Sequence, residues 1–62
     1  MFIKIPIQRG EVIVRKASDG TYSVRPVWEH ATGGIKTLYY VRLTKGQACR
    51  KVDYFAGRHI TW

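Results

Sequence analysis

The carboxylates, imidazoles and thiols of this 62-residue chain are few: Glu11, Asp19, Glu29 and Asp53, His30 and His59, and Cys49. General acid-base catalysis needs titratable groups gathered about a substrate, and no such pairing is visible, the less so because Asp19 sits in a Ser-Asp-Gly-Thr turn. One cysteine and two histidines match no recognised zinc spacing. Gly33-Gly34 is followed by neither a helix start nor a Lys-Ser/Thr pair, so it reads as a turn and not as a phosphate loop. Cys49 falls among apolar positions and is expected to be a small buried residue. The sequence therefore predicts no enzyme, no catalytic residue, no metal site and no cofactor.

The cations offer a different chemistry. Eleven Lys and Arg against four Asp and Glu give a formal charge of +7. Such a surplus attracts polyanions, and cations that neutralise phosphates release counterions, giving an affinity that falls with salt. Lys4, Arg9, Arg15, Lys16, Arg25, Lys36, Arg42, Lys45, Arg50, Lys51 and Arg58 run from one end of the chain to the other, never more than two together. A disordered basic tail would need blocks of about five or six like charges. Interleaved with Val, Ile, Tyr and Trp, these cations belong on folded elements, where several can share one face. The plain alternative is a solvated face that keeps a small domain soluble.

A chain this short buries only about 60% of its unfolded surface, which limits it to one small core in a single domain, residues 1-62. The apolar content of 45%, with Trp 2, Tyr 4 and Phe 2, is in the globular range. The lone cysteine allows no internal disulfide and suits a reducing compartment. The start, Met1-Phe2-Ile3-Lys4-Ile5-Pro6-Ile7, is too short and too interrupted for a signal sequence or a membrane span. The expected location is the cytoplasm, and a Met start with no visible tag suggests a complete small protein.

Residues 2 to 7 alternate with Ile3, Ile5 and Ile7 on one face, which predicts a strand, placed at a sheet edge by Pro6. Residues 11 to 17 are β-rich, Asp19-Gly20 signals a hairpin turn, and a second arm follows from Tyr22 to His30. After Ala31-Thr32-Gly33-Gly34, residues 35 to 43 alternate again. From Thr44 the period changes: Ala48, Val52 and Phe55, with Cys49 and Ala56 beside them, mark a helix with Thr44 as N-cap and Gly57 as the stop. The tail, residues 58 to 62, is β-prone and suited to pairing with the first strand. The expectation is an α+β fold, a three- to four-stranded antiparallel sheet packed on one C-terminal α-helix, with an SH3-like β-barrel as the alternative.

A two-residue Asp19-Gly20 loop would pair Ala17 with Tyr22, Arg15 with Val24 and Ile13 with Pro26. The opposite face would then carry Val12, Val14, Lys16, Ser23, Arg25 and Val27. In the last strand Ile35, Thr37, Tyr39, Val41 and Leu43 form an apolar series for the helix side, leaving Lys36, Leu38, Tyr40 and Arg42 as alternates. The candidate surface is thus Lys16, Ser23, Arg25, Lys36, Tyr40 and Arg42, with Arg50, Lys51 and Arg58 as peripheral phosphate contacts. This register puts Arg15 on the core side, an awkward place that a bulge or another register would change. Tyr39 and Phe55 are assigned to the core, and Tyr40, Trp28, Tyr54 and Trp62 are the candidates for stacking on bases.

The run Val14-Arg15-Lys16-Ala17-Ser18-Asp19-Gly20-Thr21-Tyr22-Ser23-Val24-Arg25, followed by Leu38-Tyr39-Tyr40-Val41-Arg42-Leu43-Thr44-Lys45-Gly46-Gln47-Ala48, resembles the N-terminal arm-binding domains of tyrosine-family integrases. The resemblance covers roughly residues 11 to 57. It implies a three-stranded sheet, backed by one helix, that lies in the DNA major groove, with Lys16, Ser23, Arg25, Tyr40 and Arg42 toward DNA and Tyr22, Val24 and Leu43 in the core. This chain adds an N-terminal strand and a C-terminal tail to that pattern. A free-standing version would be an accessory or regulatory protein of phage or plasmid type.

Residues and resemblance together favour nucleic acid as the partner, duplex DNA ahead of RNA. The competing expectation is a small protein-interaction module or inhibitor that docks on an acidic partner. An edge strand such as residues 2 to 7 could also pair two copies into a homodimer. A membrane is not expected, for lack of a basic amphipathic helix with a broad apolar face.

Overall fold

The computed structural model describes all residues from Met1 to Trp62. The chain runs β1 (Phe2–Ile7), β2 (Gly10–Lys16), β3 (Tyr22–Glu29), β4 (Ile35–Thr37), β5 (Tyr40–Leu43) and α1 (Lys45–Ala56). All pairings are antiparallel, in the order β1-β2-β3-β4, with β5 also on β3. The last two strands therefore share one position, and the sheet is four strands wide and open. It carries a full helix on one face, so the α+β expectation holds and the barrel alternative does not form.

β1 forms as its alternation requires. Ile3 and Ile5 stand opposite Val14 and Val12 of β2, and all four turn toward the helix. Pro6, which cannot donate to a ladder, lies on this edge strand, as expected of proline. Gly10 opens β2 because β3 passes too close for any side chain: a Cβ there would lie 1.9 Å from the Val27 carbonyl oxygen and 2.7 Å from Trp28 Cα.

The β2-β3 hairpin differs from expectation by one residue. Asp19-Gly20 does not form a two-residue loop. Ala17 N donates to Thr21 O at 2.8 Å and Gly20 N to Ala17 O at 3.1 Å, with Gly20 left-handed at φ 88, so Ser18-Asp19-Gly20 is a three-residue loop. That is the next commonest hairpin geometry, a turn closed by a left-handed glycine. Val14 then faces Val24, Val12 faces Pro26, Arg15 faces Ser23 and Ile13 faces Arg25. Because the side-chain period is two, this single step exchanges the faces of β2 relative to β3. Val12 and Val14 enter the core, and Arg15 leaves it.

The strand expected over residues 35 to 43 is broken in two, opposite Pro26. In an antiparallel strand the N–H and C=O of one residue point the same way, and the Pro26 carbonyl accepts Leu38 N at 3.2 Å and Thr37 Oγ1 at 3.1 Å. The donor that proline lacks is therefore missing on this side, and here β4 ends. A register shift follows between the pairs Val24↔Tyr40 and Tyr22↔Leu43. Arg42 takes up the extra residue, with φ 57. Both Tyr40 and Leu43 consequently face the helix, as Lys36 does, while Ile35, Thr37, Tyr39 and Val41 face away, the reverse of the expected assignment for all of these but Leu43.

Helix α1 has the expected limits. Thr44 and Gln47 form a reciprocal capping box, Gln47 N donating to Thr44 Oγ1 at 3.2 Å and Thr44 N to Gln47 Oε1 at 2.9 Å, an arrangement worth about 1 kcal/mol. Gly57 closes the helix at φ 70, its N–H bonded to Asp53 O at 3.0 Å. Ala48 and Val52 are fully buried and, with Ile5, Val12, Val14, Tyr22 and Val24, make the core.

The tail does not extend the sheet. Asp53 bends it back, accepting Ile60 N at 3.1 Å and meeting His59 Nδ1 at 3.0 Å. Those two contacts, the His59 ring first, hold the Asp53 carboxyl below its ordinary pKa. Trp62 then packs edge-on against Tyr22 at 5.5 Å between ring centroids. No helix is long and apolar enough to cross a membrane.

Replacing Gly10 by Ala forces a methyl group into the β3 backbone, an overpacking expected to cost about 1–3 kcal/mol. Urea denaturation should show the lower midpoint, and an unchanged midpoint would contradict the close approach of β2 and β3.

Candidate nucleic-acid interface

The helix covers one face of the sheet and leaves the other bare. The register arranges that bare face in rows across the strands. Phe2, Arg15 and Ser23 form one row, ending beside Val41 and the Arg42 bulge. Lys4, Ile13 and Arg25 form the next, ending at Tyr39, and Pro6, Glu11, Val27 and Thr37 form the third. Phe2, Lys4, Ile13, Arg15, Ser23, Arg25 and Tyr39 line one shallow hollow, and Arg42 lines the adjoining one with Arg15, Ser23 and Tyr39.

Three cations, Lys4, Arg15 and Arg25, thus stand on the face itself, with Lys16 and Arg42 at its hairpin end. Glu11 stands among them, 3.8 Å from Lys4 Nζ in an exposed pair of little energetic weight, and Glu29, paired with Ile35, lies on the same pleat one row beyond Val27 and Thr37. Asp19, at the loop, is committed to the turn. It accepts Thr21 Oγ1 at 2.7 Å and Thr21 N at 2.9 Å, and these bonds, the hydroxyl first, hold its carboxyl below the ordinary range.

Two aromatic rings flank the cations. Phe2 is 51% exposed and Tyr39 64% exposed. Arg15 Cζ lies 4.9 Å from the Phe2 ring centroid and Arg25 Cζ 5.8 Å from that of Tyr39. Such contacts are worth about 0.5–1 kcal/mol at exposed sites and hold each guanidinium over a ring.

The expected site residues are only partly brought together. Ser23, Arg25 and Arg42 gather with Arg15 as described. Lys16 pairs with Tyr22 and so belongs to the helix-side pleat, against expectation. It sits at the end of β2, 5.8 Å over the Tyr22 ring, and joins Arg15 and Arg42 only around that end. Lys36 pairs with Trp28, also on the helix-side pleat and off the face. Tyr40 pairs with Val24 and packs 6.1 Å from Phe55, so it leaves the face as well. Arg50 and Lys51 line a separate groove between α1 and β5, with Tyr40, Leu43, Gln47, Tyr54 and Phe55, where Lys51 Nζ lies 4.4 Å over the Tyr40 ring. Arg58 is exposed just beyond the helix stop.

Of the expected stacking residues, Trp28 is half-buried against Phe55 and Trp62 lies against Tyr22. Tyr54 is exposed on the helix. Tyr39, expected in the core, is on the open face instead, a correction that follows from the bulge. Phe2, Lys4 and Arg15 were missed. The alternation of β1 already sent Phe2 and Lys4 away from Ile3 and Ile5, and the awkward core placement of Arg15 was itself a sign that the hairpin register was off by one.

No protein-family model matches the chain, and no curated protein or solved structure matches it. The class defined by the fold is a small α+β domain with an open antiparallel sheet backed by one helix. No group of three or more His, Cys, Asp and Glu side chains comes together to hold a metal ion.

Arg42 holds left-handed angles at a cost of roughly 1–2 kcal/mol to a non-glycine residue. Arg42→Gly should leave the thermal midpoint unchanged or raise it, whereas Arg42→Val, β-branched at the same angles, should lower it. Equal losses in both variants would contradict the bulge.

Proposed function

We propose that this protein binds nucleic acid through the open face of its sheet. The observation that carries the reading is the placement of Lys4, Arg15 and Arg25 on one uncovered face, with Arg42 at its rim, while the carboxylates of that face, Glu11 and Glu29, stand in the third row and the row beyond it, away from the arginines. A phosphodiester chain crossing the first three rows meets a cation at each of them but the third. Displacing counterions from about four phosphates gives a log-log salt slope near −0.9 per contact, about −4 in all on a duplex. Duplex DNA, the partner favoured by the sequence, would contact the face through its phosphates. Kinship with integrase arm-binding domains, and with it an accessory or regulatory role, remains part of this proposal. The sheet-and-helix layering suits it, and β1 is the addition.

A second reading, docking on an acidic protein, is favoured by the groove between α1 and β5. Arg50 and Lys51 line it with no carboxylate beside them, and Tyr54 at its wall is 79% exposed. Tyr and Arg are the residue types on which interface energy concentrates. The groove lies on the helix side of the sheet, so its substitutions can be tested apart from those of the open face.

Fluorescence anisotropy with mixed-sequence DNA, offered as duplex and as single strand at about 50 and 200 mM salt, tests the proposal. Binding should fall steeply with salt, and Arg15→Ala combined with Arg25→Ala should flatten the slope by about two, while Arg50→Ala with Lys51→Ala changes it little. Failure to bind either form at low salt, or a slope untouched by the first pair, would overturn it.

A further inference from the structure

The width and furnishing of the open face say which form of nucleic acid it suits. Strands lie about 4.8 Å apart, so the outer strands of a four-strand face are separated by about 14 Å before side chains are added. The major groove of B-DNA is about 12 Å wide and admits a helix or a two-stranded ribbon. β1 is the strand that makes the difference, and it brings Phe2 and Lys4 into the rows. A duplex therefore meets this surface on its phosphate ridges and cannot bury the rings.

Phe2 and Tyr39 are placed to do something else. Each is a large ring left in water beside a guanidinium, and unpaired bases stack on aromatic faces and on guanidinium planes alike. Between the two rings the centre of the face is Ile13, with Ser23 as the uncharged polar neighbour in the arginine rows. A ribose 2′-hydroxyl set against the Phe2 ring or the Ile13 side chain, out of reach of Ser23 and the cations, would lose its water without a matched partner, which is costly for a hydroxyl. Deoxyribose has no such group to desolvate.

We propose that the occupant of this face is single-stranded DNA. Its phosphates are neutralised by Lys4, Arg15 and Arg25, and its bases stack at the Phe2-Arg15 and Tyr39-Arg25 pairs. The inference rests on the nucleic-acid reading above and narrows it to one form. Neither ring belongs to the buried core, so both can be changed while the fold is kept, which a thermal melt will verify.

The test compares a labelled oligo-dT of about 15 nucleotides, within the range bound by one small domain, with oligo-rU of the same length and a mixed-sequence duplex. The protein should bind oligo-dT more tightly than either. Tyr39→Ala and Phe2→Ala should each weaken oligo-dT binding roughly ten-fold, Tyr39→Phe should restore it, and duplex binding should change far less. A duplex bound as tightly as oligo-dT, or indifference to both alanine variants, would overturn the single-strand assignment while leaving phosphate binding in place. Tighter binding of oligo-rU would move the assignment to RNA. No binding of any form would remove both this inference and the reading beneath it.

Discussion

Everything distinctive about this molecule depends on the pairing of Val14 with Val24 across the central hairpin. The loop that fixes it is three residues long, closed by left-handed Gly20 and by the Asp19 carboxylate on the Thr21 hydroxyl and N–H. A shift of one residue would take Val12 and Val14 out of the core and turn Arg15 into it, where an unpaired guanidinium is not tolerated. The same pairing keeps Arg15 and Arg25 together on the surface. A turn of a few residues thus settles both what is buried and what charge is displayed.

The core is small, seven buried apolar residues between one sheet face and one helix. With so little interior, the chain adds partly buried residues at the rims: Ile3, Ile7, Leu43, Phe55, Ile60 and Trp62. The tail supplies two of them, drawn back by Asp53 at the helix end. Nothing of comparable size packs on the opposite face. That face is where Phe2 and Tyr39 remain in contact with water and where guanidinium groups lie on their rings. The division of the sheet into a covered and a bare side is what makes a binding surface available on so short a chain.

The pattern of single elements was legible in the sequence, and the relations between them were less so. Ile3, Ile5 and Ile7 announce β1, and Thr44, Gln47 and Gly57 bound the helix through local hydrogen bonds that short-range spacing reveals. Asp19-Gly20 announces a hairpin but fits loops of two or three residues, and the choice between them decides every face in β2. The alternation of residues 35 to 43 could not show that Pro26, a distant residue in sequence, withholds a donor from that strand. Nor could it show that Arg42 absorbs an extra residue. Those two long-range facts carry Tyr39 out of the core and Tyr40 into the helix side, and they explain why only part of the expected site assembles.

The central claim is that the uncovered sheet face, and not the helix groove, is the binding surface. Backbone amide chemical-shift mapping of the 15N-labelled protein during titration with oligo-dT tests it most directly. Perturbations centred on Phe2, Lys4, Ile13, Arg15, Ser23, Arg25 and Tyr39 are expected. Perturbations centred instead on Arg50, Lys51 and Tyr54, with the sheet face unmoved, would contradict it.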